Sequence, residues 1–322
     1  MDLDCFKNIL VVIGGEPHDS TLTRGVALAI ANGASLTLMD VIPPVHQSFF
    51  SASPQHSIEE LQAEHREARR QELLRLVADY VSTGIAAEVV VRVGNPAFEI
   101  VQQVLRGGHD LVIKTANTRT GLKHLLGSIT RALLRTSPCP VWAIKPGSEP
   151  RYRKILAAID PLADDPEHMG LNEQIIRLAS SLAHSESAEL HLVSVWSLPM
   201  ERTLRSRLGA EACDLLIRQA EARVRKTLDR WHASHVPREI VATVHLPRGR
   251  ASEQIAEVAA RIDADLIVMG TICRTGLAGM LVGNTAEQLL DSVTCGVLAL
   301  KPHGFVSPIR LTDDNHDSPR SE

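Results

Sequence analysis

Asp265-Leu-Ile-Val-Met-Gly270 and, earlier in the chain, Asp110-Leu-Val-Ile-Lys114 are two copies of one short strand, an acidic residue followed by an aliphatic run. A run that is apolar at nearly every position does not fit a sheet with one wet face, where apolar and polar residues alternate. It fits a strand covered on both faces, as in a parallel sheet flanked by helices. On either side of this pair, further landmarks recur in the same order at an offset of about 150 residues. Lys7-Asn-Ile-Leu-Val-Val-Ile-Gly14 returns as Arg153-Lys-Ile-Leu-Ala-Ala-Ile-Asp160, and Ala34-Ser-Leu-Thr-Leu-Met-Asp-Val41 as Ala188-Glu-Leu-His-Leu-Val-Ser-Val195. Gly94-Asn-Pro-Ala-Phe-Glu-Ile100 returns as Gly249-Arg-Ala-Ser-Glu-Gln-Ile255, and Arg119-Thr-Gly-Leu122 as Arg274-Thr-Gly-Leu277. The last strand of each copy, Val141-Trp-Ala-Ile144 and Val297-Leu-Ala-Leu300, is followed by Lys-Pro.

Between these runs the apolar period lengthens to that of a helix, over residues 58–81 and again over 204–231. Strand and helix therefore alternate, which predicts right-handed βαβ crossovers. The reading is an α/β chain of two tandem doubly wound domains, each a five-stranded parallel sheet flanked by helices, at residues 1–147 and 152–302. The turn-rich junction at 147–150 is too short for free tumbling, so the two domains are expected to pack together. Residues 303–322 are polar with two prolines, and the sequence predicts a disordered tail there.

Composition narrows the function. The chain has 322 residues, 44% hydrophobic and 22% charged, enough for two ordinary cores. A formal net charge of −4 offers no concentrated positive field for nucleic acid, and 3% aromatic residues give few stacking platforms. No run approaches the roughly 18 apolar residues of a membrane span, and the start MDLDCFKNIL does not read as a secretory signal. Five cysteines without CxxC spacing suit a reducing compartment. The predicted location is cytoplasmic, with no nucleic-acid partner and no membrane insertion.

In an open α/β sheet, ligands bind beyond the carboxyl ends of the strands, where the strand order reverses. In the second copy this selects Asp160 at the end of its first strand, and Met269 and Gly270 at the end of its fourth. From there the chain runs into a glycine-rich stretch ending at Gly283-Asn284-Thr285, where a helix start could present unpaired N–H groups to phosphate. Gly270-Thr-Ile-Cys-Arg274-Thr-Gly-Leu277, closed by Gly283-Asn-Thr-Ala-Glu287, resembles the G-x2-G-x9-G-[S/T] nucleotide loop of the universal stress protein family. The tandem arrangement is similar to the two-domain UspE type within it, over roughly residues 5–302. The resemblance implies that Asp160 contacts the nucleotide sugar, that backbone at Val195 faces adenine, and that Met269, Gly270, Arg274, Gly283, Asn284 and Thr285 complete the site.

Two positions depart from the family pattern: Cys273 replaces the second glycine and Asn284 replaces the usual Ser/Thr. The first copy departs further, with Gly14 where Asp160 stands, Lys114 read where Gly270 stands, and Asn117 where the second glycine would be. Only Gly127-Ser128 survives, so this copy is expected to lack standard nucleotide binding, and its lysine to suit a different anion. Plainer readings stay open beside these. Asp160 can open a turn before Pro161, and Asn284 with Glu287 can form a helix cap.

No nucleophile elbow, Walker loop or His-Glu-x-x-His motif is present, so no catalytic residue or metal ligand is assigned. The expected function is a stress-response sensor or regulator binding an adenine nucleotide, ATP or a relative with or without Mg, in the second domain. Slow ATP hydrolysis, or a ligand carrier or scaffold using the degenerate first pocket, are the alternatives. For this family the last strands of paired domains usually associate, so residues 141–144 and 297–300 are expected to join the halves as an intramolecular pseudo-dimer, with a homodimer also open.

Overall fold

The computed structural model describes residues 6–14, 19–44, 58–81, 84–116, 127–147, 149, 151–163, 165–271, 288–289 and 292–312. The first half runs β1 (Asn8–Val12), α1 (Asp19–Asn32), β2 (Ser35–Ile42), α2 (Ile58–Val81), β3 (Ala87–Val93), α3 (Pro96–Gly107), β4 (Leu111–Thr115), α4 (Ser128–Thr136) and β5 (Val141–Ile144). The second half runs β6 (Lys154–Ala158), α5 (Pro166–Glu186), β7 (Glu189–Val193), α6 (Glu201–Leu208), α7 (Ala210–His235), β8 (Ala242–His245), α8 (Ala251–Ile262), β9 (Leu266–Gly270) and β10 (Gly296–Leu300).

All ten strands form one sheet in the order β3-β2-β1-β4-β5-β10-β9-β6-β7-β8. Each half contributes five parallel strands. The halves meet where β5 and β10 pair antiparallel, Trp142 opposite Leu298. These are the strands named from the sequence as the joining pair. The aliphatic runs explain the two-layer cover. Alternate strand residues such as Leu111, Ile113, Leu266 and Val268 face one core, with residues of α1, α2, α5 and α7. Val112 and Ile267 face the other, with residues of α3, α4 and α8. Neither face of the sheet is wet, as continuous apolar strands require.

Local chemistry sets the element ends. The Asn95 side chain accepts from the Phe98 N–H ahead of Pro96, and Asp165 accepts from the His168 N–H ahead of Pro166, so α3 and α5 both open on a capped, proline-first turn. The repeated aspartates have a structural role. Asp110 accepts from the Lys7 and Asn8 N–H groups and Asp265 from those of Arg153 and Lys154, pinning the start of each half's first strand to that of its fourth.

Two expectations change. The helix predicted over 204–231 is broken at Gly209, whose φ of 83° no helix accommodates, giving α6 and α7. The predicted disorder from 303 onward does not hold for residues 303–312. Ser307 is buried and donates to the Thr136 carbonyl. The Gln102 amide donates to the Arg310 carbonyl and accepts from the Thr312 N–H. The segment is ordered by main-chain contacts with α3 and α4, which its polar composition does not reveal. Residues 313–322 lie outside the described residues.

Candidate functional site

The second half has the order β9-β6-β7, so its first strand lies between its fourth and its second, and the reversal falls between β6 and β9. Asp160 stands two residues past the end of β6, Gly270 closes β9, and Val195 stands two residues past the end of β7. The pairings Ala158↔Met269 and Ala158↔Val193 bring these three strand ends side by side. Arg274, Gly283, Asn284 and Thr285, with Cys273 and Asn117, lie outside the described residues.

Asp160 is held from two sides. Its N–H donates to the Asn172 side chain and its carbonyl accepts from the same amide, at 3.0 and 2.7 Å. Asn172 is 4% exposed on α5, among Leu171, Ile175 and Ile176. It positions the Asp160 backbone, and it is a site residue that sequence reasoning missed. The available signal was one amide on an otherwise apolar helix face. The Asp160 carboxylate accepts from the Leu162 N–H at 3.3 Å, which is the turn-opening role read from Asp-Pro. A carboxylate has about four lone-pair sites, so it can accept several hydrogen bonds at once.

Gly270 is needed for close approach, on the side of the protein rather than of a ligand. A Cβ there would lie 2.4 Å from Leu171 Cδ2. Met269 beside it is buried in the opposite core. Thr271 turns its N–H and hydroxyl onto the Leu300 carbonyl at 3.0 and 3.2 Å, fixing where the chain leaves the sheet.

At Val195 the strands part. Ile159 N–H still reaches the Val193 carbonyl, while Ser194 and Trp196 donate to the His245 and Pro247 carbonyls on the other side. Between them, the Val195 N–H and carbonyl take no part in the hydrogen bonds among the described residues. Trp196 adds a second feature missed in sequence. It is 6% exposed, its indole N–H has no hydrogen-bond partner among the described residues, and Arg248, paired with Glu201, lies 5.6 Å from its ring centre.

The first half carries a correction. Val12 pairs with Lys114 as Ala158 pairs with Met269, so Lys114 corresponds to Met269 and Thr115 to Gly270. Lys114 is buried, and its ammonium donates to the Thr115 carbonyl at 2.9 Å. Burial lowers its pKa to about 8, with Asp40 acting in the other direction. Thr115 shares a buried hydroxyl pair with Thr21 of α1 at 2.5 Å.

Gly127 and Ser128 do open α4, without a side-chain cap. Cys139 and Cys295 are inert as thiolates, because burial pushes their pKa values up to about 11 and about 12. His235 stacks on Trp231 at 4.4 Å and lies 3.6 Å from Glu173. Among the described residues no helix is long and apolar enough to cross a membrane.

A doubly wound repeat with a switch point in each half defines the class, and comparison with known proteins identifies the family. The chain belongs to the universal stress protein family, whose model matches residues 6–145 and again 151–301. It is 31% identical to Universal stress protein E of Escherichia coli K12 over 243 residues, 74% of this chain and 75% of that one. It is 29% identical to the Salmonella typhi protein of the same name over 96% of this chain and 99% of that one. Among solved structures it is similar to the functionally unknown protein PA1789 of Pseudomonas aeruginosa PAO1, with TM-score 0.72 and 27% identity, covering 93% and 94% of the two chains.

Proposed function

We propose that the second half binds an adenine nucleotide, ATP or a relative, at the carboxyl ends of β6, β7 and β9, and that the chain acts as a sensor or regulator in the stress response. The observation that carries this reading is the main chain at Val195. Its N–H and carbonyl stand outside the hydrogen bonding among the described residues, at the point where β6 and β7 separate. A donor and an acceptor on one residue match the amino group and ring nitrogen on one edge of adenine.

Asp160, its backbone fixed by Asn172, supplies an acceptor for ribose hydroxyls. The phosphates fall to Gly270 and, by family resemblance, to Arg274, Gly283, Asn284 and Thr285, with Mg accompanying the nucleotide. No residue is assigned a catalytic role, so ligand occupancy rather than turnover is the output.

Calorimetry with ATP tests this on the full chain. Asp160→Ala and Gly283→Lys are expected each to weaken binding at least about tenfold, the loss of roughly 1.4 kcal/mol, while thermal melts show a folded protein. Equal affinity in wild type and both variants would remove the site assignment.

A further inference from the structure

We propose that the first half holds a compact oxyanion, a phosphate or carboxylate group carried without a nucleoside, at the carboxyl ends of β1 and β4, with Lys114 as its charge partner. The site is separate from the nucleotide crevice of the second half.

The order β2-β1-β4 puts the switch point of this half between β1 and β4. Lys114 is the fourth residue of the five-residue β4, opposite Val12. Lys114 is buried to its ammonium, which donates to the carbonyl of Thr115, the last residue of β4, so the charge lies at the carboxyl end of the strand. Across the switch point, Gly14 stands where the second half has Asp160, and a Cβ built there meets no described residue within 4 Å.

Set against the second half, this crevice has lost a carboxylate at one strand end and gained a cation at the neighbouring one. The change removes the acceptor that suits ribose hydroxyls and reverses the sign of the charge facing a ligand. Asp40, the carboxylate acting on Lys114, is 2.7 Å from Arg69 and is shared with it. With its pKa at about 8, Lys114 remains mostly cationic at neutral pH. A buried cation where the sister half has methionine costs stability, and sites that keep such a cost are those with work to do.

Thermal unfolding of the full chain at pH 7 in millimolar inorganic phosphate, against sodium chloride of equal ionic strength, tests the proposal, with succinate as a parallel arm. Wild type is expected to gain a few degrees saturably with one or both anions, and the two arms separate phosphate from carboxylate. Lys114→Met, which installs the residue of the sister half, and Gly14→Asp, which fills open space with a negative charge, are expected to show only the general salt slope. ATP affinity stays unchanged in both variants. A saturable rise equal in wild type and Lys114→Met, or none in wild type with either anion, overturns the proposal. If one variant does not fold, the other decides.

Discussion

At the scale of single residues, two buried lysines among the described residues shape the pH dependence above pH 8. Lys114 and Lys301 are 2% and 6% exposed, and burial lowers each from 10.5 to about 8. Lys301 donates to the Leu134 carbonyl and lies 4.4 Å from the Phe305 ring centre. A lysine whose folded pKa is depressed opposes folding while it is protonated, and the penalty lifts as pH rises from the folded toward the unfolded value. The two together are expected to add about 2 kcal/mol of stability between pH 8 and 9. Above about pH 9 the buried thiols act oppositely, because Cys139 and Cys295 ionise only when unfolded there. Chemical denaturation across this window checks the sign, and Lys114→Met is expected to halve the rise and to be about 1–3 kcal/mol more stable at pH 7. A flat profile, or a destabilised variant, contradicts the burial account. The sequence placed Lys114 at the switch point but one residue out of step, opposite Gly270. Counted from their aspartates, Asp110-Leu-Val-Ile-Lys114 and Asp265-Leu-Ile-Val-Met-Gly270 already set Lys114 against Met269, and the strand pairing agrees; matching the two run ends instead put the lysine one position late.

At the scale of elements, what the sequence made legible was what local chemistry dictates: the strands from their aliphatic runs, and the start of α3 from Asn95-Pro96. The break between α6 and α7 was hidden, because apolar periodicity continues across Gly209 while the backbone does not. Also hidden was the contact between α1 of one half and α5 of the other. Arg24 pairs with Glu186, and its guanidinium lies 3.9 Å from the Tyr152 ring centre. Glu186 accepts from the Tyr152 N–H, and the Trp142 indole donates to the Tyr152 hydroxyl. These residues are widely separated in sequence and share no motif, so only tertiary packing assembles them. Arg24 is 8% exposed, and removing one partner of such a pair leaves the other charge buried. Arg24→Ala is expected to cost about 3 kcal/mol, and the double variant with Glu186→Ala less than the two single losses combined. Additive losses in a double-mutant cycle would show that the pair is not coupled.

At the scale of the whole molecule, the β5–β10 seam and the return of residues 303–312 add to the α1–α5 contact in making one body of the repeat. The β5–β10 seam was expected only from what the family resemblance implies for the last strands, and β5 and β10 do pair. The return of residues 303–312 across the first half was not expected, because Gln102 binds main-chain groups at Arg310 and Thr312, and such contacts leave no trace in side-chain pattern. Ser307 and Lys301 meet the carbonyls of Thr136 and Leu134 at the end of α4, groups that a helix end leaves without intrahelical partners. Ending the chain after Pro302 would strip Gln102, which is fully buried, of both described partners and Thr136 of one. Each buried polar group so exposed to loss costs about 1–3 kcal/mol, offset in part by the freedom the removed segment no longer gives up. The truncated chain is therefore expected to melt several degrees lower, with faster amide exchange in α3 and α4 and unchanged exchange in α8, with which the segment shares none of the described hydrogen bonds. Uniform loss of protection in both halves would mean that the sheet unfolds as one unit whatever covers it, and unchanged protection in α3 and α4 would mean that the segment contributes nothing to holding them.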